Sequence, residues 1–131
     1  MNNKGITGVD ITIAIIIIIT FTGVIASLMF SIYNTSLNIQ KGANADAYAT
    51  MILEKVDEKS YDEVDENFIQ MLKDDNEIEI SDDYVTELTI EPYTDYQYDL
   101  IKKVNLIIKY TVNKEEKTLN ITKLKIKEMG E

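Results

Sequence analysis

The sequence predicts an α+β protein in which a long N-terminal helix packs on a small three-stranded antiparallel sheet. Three observations carry this reading. Residues Ile11 to Gln40 contain no charged residue, and the run opens with Ile11-Thr12-Ile13-Ala14-Ile15-Ile16-Ile17-Ile18-Ile19. Small and apolar residues then continue to Val56 without a proline, the single proline of the chain being Pro92. From Tyr84 onward the pattern changes to apolar and polar residues in alternation, the period of a half-buried strand.

The apolar run is long enough, with its continuation to Tyr33, to cross a bilayer as a helix. It has no polar face, as expected of a helix surrounded by lipid. Isoleucine is a poor helix former in water, but in hydrocarbon the backbone must bond to itself and helix wins. Lys4 precedes the run, so the amino terminus is expected on the cytoplasmic side and the rest of the chain outside. Between Tyr33 and Val56 only Gly42 weakens the helix, and Ile39, Ala43, Ala47, Tyr48, Met51, Ile52 and Val56 suggest an apolar stripe. A helix of about 50 residues is roughly 75 Å long, well beyond one membrane thickness, so its outer half needs cover. The face at Ala47, Tyr48, Met51 and Ile52 is expected to cover the sheet.

Ser60-Tyr61-Asp62-Glu63 reads as a capping box. A short amphipathic helix is expected from there to about Leu72, with Tyr61, Val64, Phe68, Met71 and Leu72 on one face. An acidic loop follows from Lys73 to Asp83, with a short strand suggested at Ile78 to Ile80. Three strands close the chain. Tyr84, Thr86, Leu88 and Ile90 form the inner face of the first, which Pro92 ends or marks as an edge. Val104, Leu106, Ile108, Tyr110 and Val112 form that of the second. Asn113 to Glu116 is the turn. In the last strand Leu119 and Ile121 are out of phase with Leu124 and Ile126, which suggests a bulge or twist near Lys123. The chain thus divides into a leader at 1–5, a membrane half of the helix at 6–33, an amphipathic outer half at 34–56, and a small extracytoplasmic α+β domain at 57–131.

Composition narrows the chemistry. Cysteine and histidine are both absent, which removes disulfides, structural zinc sites, thiol chemistry and the commonest general base. No catalytic constellation stands out, no cofactor is implied, and the chain reads as a non-enzyme. The 131 residues carry a net charge of −10. Residues 57–99 hold sixteen acids against Lys59 and Lys73, while residues 100–131 hold eight lysines against four glutamates. So acidic a middle segment repels phosphates and argues against nucleic-acid binding. Asp74, Asp75, Glu77, Glu79, Asp82 and Asp83 crowd one loop, but their spacing lacks the glycine and the ligand pattern of a helix–loop–helix calcium site.

The N-terminus is the most specific signal. Met1-Asn2-Asn3-Lys4-Gly5 is a short cationic leader ending in glycine, Ile6 follows, and Asp10 stands alone at the edge of the apolar run. An acid beside hydrocarbon is a functional hypothesis by default. This leader, with the long helix to Val56, resembles the start of type IV pilins and type II secretion pseudopilins. The resemblance implies a fold and a route. A prepilin peptidase cuts between Gly5 and Ile6, the new terminus is methylated, and an ATPase-driven assembly platform stacks the membrane-held subunits into a filament. Asp10 takes the place of the family's fifth-residue glutamate, which pairs with the terminal amine of a neighbouring pilin or pseudopilin subunit. The chain departs from the family at Ile6, usually phenylalanine, at Asp10, usually glutamate, and at Gly8, usually apolar. It also lacks the proline many major pilins carry in this helix. Two other readings use the same residues. Asp10 also suits the N-cap of an ordinary membrane anchor, the domain then serving as a binding module through its Tyr93–Tyr98 loop. Val24-Ile25-Ala26 before Ser27 also fits a conventional signal cleavage site.

Overall fold

The computed structural model describes Gly5 and residues 7–93 and 100–128. Among the described residues it is an α+β arrangement of two helices and three strands, α1 (Gly8–Glu58), α2 (Phe68–Asp74), β1 (Tyr84–Pro92), β2 (Ile101–Val112) and β3 (Glu115–Ile126). The chain divides into two compact units, Met1–Leu37 and Asn38–Glu131. The first is the apolar part of α1. The second is built from the remainder of α1, α2 and an antiparallel meander of order β1-β2-β3.

Alternation sets the sheet. Tyr84 and Leu88 of β1 and Val104, Leu106, Ile108 and Val112 of β2 are buried on one face, joined by half-buried Leu119 and Ile121 of β3. The register places Leu88 opposite Leu106, and Leu106 opposite Ile121. The two-residue turn between β2 and β3 is Asn113-Lys114, and both residues have positive φ, 51° and 69°. Positive φ at both positions is the type I′ geometry, whose twist matches that of the flanking strands.

The core lies between this face and the helices. From α1 come Ala45, Ala49, Ile52 and Val56, spaced as one helical stripe, and from α2 come Phe68, Ile69 and Leu72. The stripe differs from the one read in the sequence. Ala47 is exposed and Ile39 keeps 67% of its surface in solvent. Ile52 and Val56 are buried as expected and Tyr48 and Met51 pack half-buried against the core, but Ala45 and Ala49, rather than Ala47, complete the covered face. Alanines alternate at Ala43, Ala45, Ala47 and Ala49, and only the helical spacing from Ile52 and Val56 picks out Ala45 and Ala49. Three tyrosines extend this contact, with Tyr84 at 5.0 Å from Tyr48 and 5.7 Å from Tyr110, and the Tyr84 hydroxyl donates to the Lys41 carbonyl at 3.2 Å.

Three local expectations are corrected. Residues 61–63 form a turn rather than the start of a helix, although the Ser60 N–H does donate to Glu63 at 2.9 Å. Asp65 then bends the chain by accepting from the Asn67 N–H at 2.8 Å, and helix begins only at Phe68. Short acidic side chains bond nearby backbone in this way and compete with helix. Ile78 to Ile80 is not a strand. α2 ends in a left-handed Asn76, after which Glu77 N–H bonds back to Leu72 at 2.9 Å.

The third correction is in β3. Its register against β2 runs unbroken from Ile126 to Glu115, with no bulge. The apparent phase change arises because Lys123 and Lys125 occupy the inward phase, leaving Leu124 and Ile126 exposed. These lysines close the end of α1. Lys123 donates to the Leu53 carbonyl at 3.4 Å and pairs with Asp57, while Lys125 donates to the carbonyls of Asp57 at 3.2 Å and Lys59 at 2.6 Å. The last carbonyls of a helix lack partners within it and carry its negative end, so cations there are favourable. Lys102, buried in the same inward phase of β2, donates to the Tyr61 carbonyl, and its ammonium lies 4.1 Å from the Tyr61 ring centre.

Candidate assembly site at the start of the long helix

Of the residues singled out in the sequence, Asp10 lies in the first turn of α1. Gly5 is exposed and precedes the helix, whereas Ile6 and the leader residues Met1–Lys4 lie outside the described residues. Thr7 is the cap. Its backbone N–H donates to Asp10 Oδ2 at 3.1 Å, its hydroxyl donates to the same oxygen at 2.7 Å, and the Asp10 N–H reaches back to Thr7 Oγ1 at 3.4 Å. The Thr7 carbonyl accepts from the backbone N–H of Asp10 at 3.0 Å and of Ile11 at 3.3 Å. Thr7-Gly8-Val9-Asp10 is therefore a capping box, with threonine at the cap and the acid three residues on.

Asp10 is thus not the N-cap itself, as the anchor reading has it. The cap is Thr7, and the carboxylate closes the box from the third helical position. It also lies in the first turn, where the helix dipole favours negative charge. Thr7 was missed in the sequence, although its signal is there, since a threonine three residues before an acid and ahead of an apolar run is a helix-start pattern.

Beyond the cap, α1 presents apolar side chains on every side. Ile13, Ile17, Phe21, Leu28, Phe30 and Ile32 are all exposed. The hydroxyls in this stretch are satisfied within the helix, Thr12 donating to the Gly8 carbonyl at 2.9 Å and Thr20 to the Ile16 carbonyl at 2.8 Å. A Cβ added at Gly23 would meet only open space. By length and composition α1 is able to cross a membrane, with none of its most apolar stretch covered.

The acidic loop has a different role. Glu77 bonds Lys59 at 2.5 Å and Lys55 at 3.3 Å, Asp83 faces Lys41 at 3.7 Å, and Asp74 accepts from Gln70 at 2.8 Å. The Lys59 and Lys55 ammonium groups hold the Glu77 carboxyl below its ordinary value; Glu77 in turn raises Lys59, while Lys55 is raised first by Glu58, 2.7 Å away, and then by Glu77. These acids are dispersed onto separate partners, and no three carboxylates among the described residues converge to hold a metal ion. Residues 94–98 of the tyrosine loop lie outside the described residues, and Tyr93 is half exposed. The chain matches no known family, no curated protein and no solved structure.

Proposed function

We propose that this chain is a structural subunit, of minor pilin or pseudopilin type, that assembles into a type IV or type II secretion-like filament through its apolar N-terminal helix. The carrying observation is the first part of α1. It has no charged residue from Ile11 to Gln40, exposes large apolar side chains on all sides, and follows Gly5-Ile6 with one carboxylate at its edge. Such a surface requires lipid before assembly and neighbouring helices after it. The subunit resides in a bacterial cytoplasmic membrane with its N-terminus inside, and the unit Asn38–Glu131 faces outward. Its partners are lipid, a prepilin peptidase, an assembly platform with its ATPase, and other subunits.

In this reading, cleavage after Gly5 leaves a cationic amine at Ile6. The Asp10 carboxylate neutralises that amine on a neighbour, since a charge buried unpaired in the helix bundle would be costly. The test is recovery of the subunit in sheared or cross-linked filament fractions. Asp10→Ala is expected to insert and be cut yet fail to enter filaments, and Asp10→Glu to assemble. Normal recovery of Asp10→Ala would refute the pairing.

A second reading is favoured by one specific observation. The capping box already satisfies Asp10 within its own chain, which is all that a single-span anchor carrying an extracytoplasmic binding module needs. Thr7→Ala separates the two. It removes both hydroxyl contacts of the box but keeps the carboxylate and the backbone N–H that bonds it, so filament entry should survive it if Asp10 pairs with an amine.

A further inference from the structure

β1 and β3 are the two edges of the sheet, and they are treated differently. β1 is guarded. α2 packs beside it over a depression lined by Ile69, Lys73 and Leu88, and Pro92 ends it. A covering helix and a terminal proline are ordinary ways to close an edge. β3 is twelve residues long, and among the described residues no strand lies on its outer side. Inward lysines guard many edges, but Lys123 and Lys125 are occupied by the end of α1.

The ladder fixes which groups face out. Lys127 N–H donates to the Leu100 carbonyl at 2.8 Å, continuing the register in which Ile101 faces Ile126. Residues of an antiparallel pair alternate between those that exchange bonds and those that do not. The odd-numbered residues of β3 therefore bond β2. Glu116, Thr118, Asn120, Thr122 and Leu124 turn their N–H and C=O groups to the open side. From Thr118 to Ile126 the outward side chains are all uncharged, in a chain where 27% of residues are charged.

A row of free amides and carbonyls accepts an extended strand, and the charges of β3 select which strand and in what register. Laid antiparallel on itself about Leu119, β3 sets no like charges directly opposite: Glu115, already beside Lys117, faces Lys123, already beside Asp57, on both sides of the axis, Lys117 faces Ile121, and Thr118 faces Asn120. Shifting the axis to Asn120 sets Lys117 opposite Lys123, and shifting it to Ile121 sets Lys117 opposite Lys125. Like charges directly opposite are destabilising. We propose that the open edge of β3 pairs antiparallel with the same edge of a second copy, about a twofold axis at Leu119, joining two sheets into one. Such an isologous contact closes on itself, and it stands independently of the filament reading.

The absence of cysteine makes the test clean. Opposed residues in a bonded pair lie about 5.5 Å apart at Cα, within disulfide reach, whereas residues offset by two positions exceed it. Full-length chains carrying Thr118→Cys and Asn120→Cys are co-expressed, and their membranes are mildly oxidised. This mixture is expected to convert the 15.0 kDa chain to a disulfide-linked dimer. Asn120→Cys alone, and Thr118→Cys mixed with Thr122→Cys, are expected to remain monomeric. Glu116→Pro deletes an outward N–H without touching the ladder to β2, and should abolish the dimer while leaving the thermal midpoint in place. Absence of the mixed dimer, equal cross-linking of all three combinations, or a dimer that survives Glu116→Pro would each overturn the proposal.

Discussion

Ile52→Ala tests whether the outer part of α1 is a structural member of the domain. Ile52 is fully buried in the cluster with Val104, Leu106 and Ile108 of β2. The substitution removes three carbons, a loss of about 2.4 kcal/mol at ~0.8 kcal/mol per methylene. The cavity left between helix and sheet adds to this, within the ~2–5 kcal/mol found for such truncations. For a domain of roughly 90 residues, about 3 kcal/mol lowers the melting midpoint by roughly 12–24 °C. The matched control is Ile39→Ala, which removes the same atoms from a residue 67% exposed and should cost under ~0.5 kcal/mol. Both are measured by thermal and urea unfolding of a truncated chain beginning at Asn34, expected to be soluble and folded. A chain beginning at Asp57 lacks the stripe from Ala45 to Val56 and should lose cooperative unfolding. Equal midpoints for the Ile52 and Ile39 variants would refute the assignment of this helix to the core.

The remaining predictions concern processing, acid stability and the hairpin. The mature chain should begin at Ile6 in an intact-mass spectrum; a start at Ser27 would indicate a conventional signal and a start at Met1 an unprocessed anchor. Glu77 is held below its ordinary value of 4.5 by Lys59 and Lys55, and Glu63 below the same value by the Ser60 N–H. A lowered carboxyl stabilises the fold above its unfolded value, and that stability is lost as pH falls through the lowered one. The melting midpoint should therefore decline below pH 4.5, and Glu77→Gln should flatten the decline; an unchanged pH profile would show that these pairs contribute nothing measurable. Lys114 sits at φ 69°, where glycine is at ease, so Lys114→Gly should stabilise the chain by up to ~1 kcal/mol, and a lowered midpoint would count against the type I′ assignment.

What the sequence determined by itself is what local periodicity encodes. The uncharged run from Ile11 marks a helix apolar enough to cross a membrane, since a lone apolar segment satisfies its own backbone only as a helix. The alternation from Tyr84 to Ile90 and from Val104 to Val112 marks two strands and their inner faces, because a strand has period two. The Thr7–Asp10 capping box went unread in the sequence, where Asp10 suggested a cap in itself, although the interaction spans only three residues. The tertiary structure decided what depends on distant partners. Lys123 and Lys125 break the alternation of β3 because the carbonyls they satisfy, at Leu53, Asp57 and Lys59, lie 66 to 70 residues away in the chain. The covered face of α1 runs through Ala45 and Ala49 rather than Ala47 because Ile52 and Val56 are the residues that the core takes up, and the helical period places Ala45 and Ala49 on their face. The start of α2 moved to Phe68 because Asp65 found a backbone donor two residues on, a choice the amphipathic pattern from Tyr61 does not reveal. Sequence patterns fix a residue's direction within its own element, while the partner it meets is set by how the elements pack.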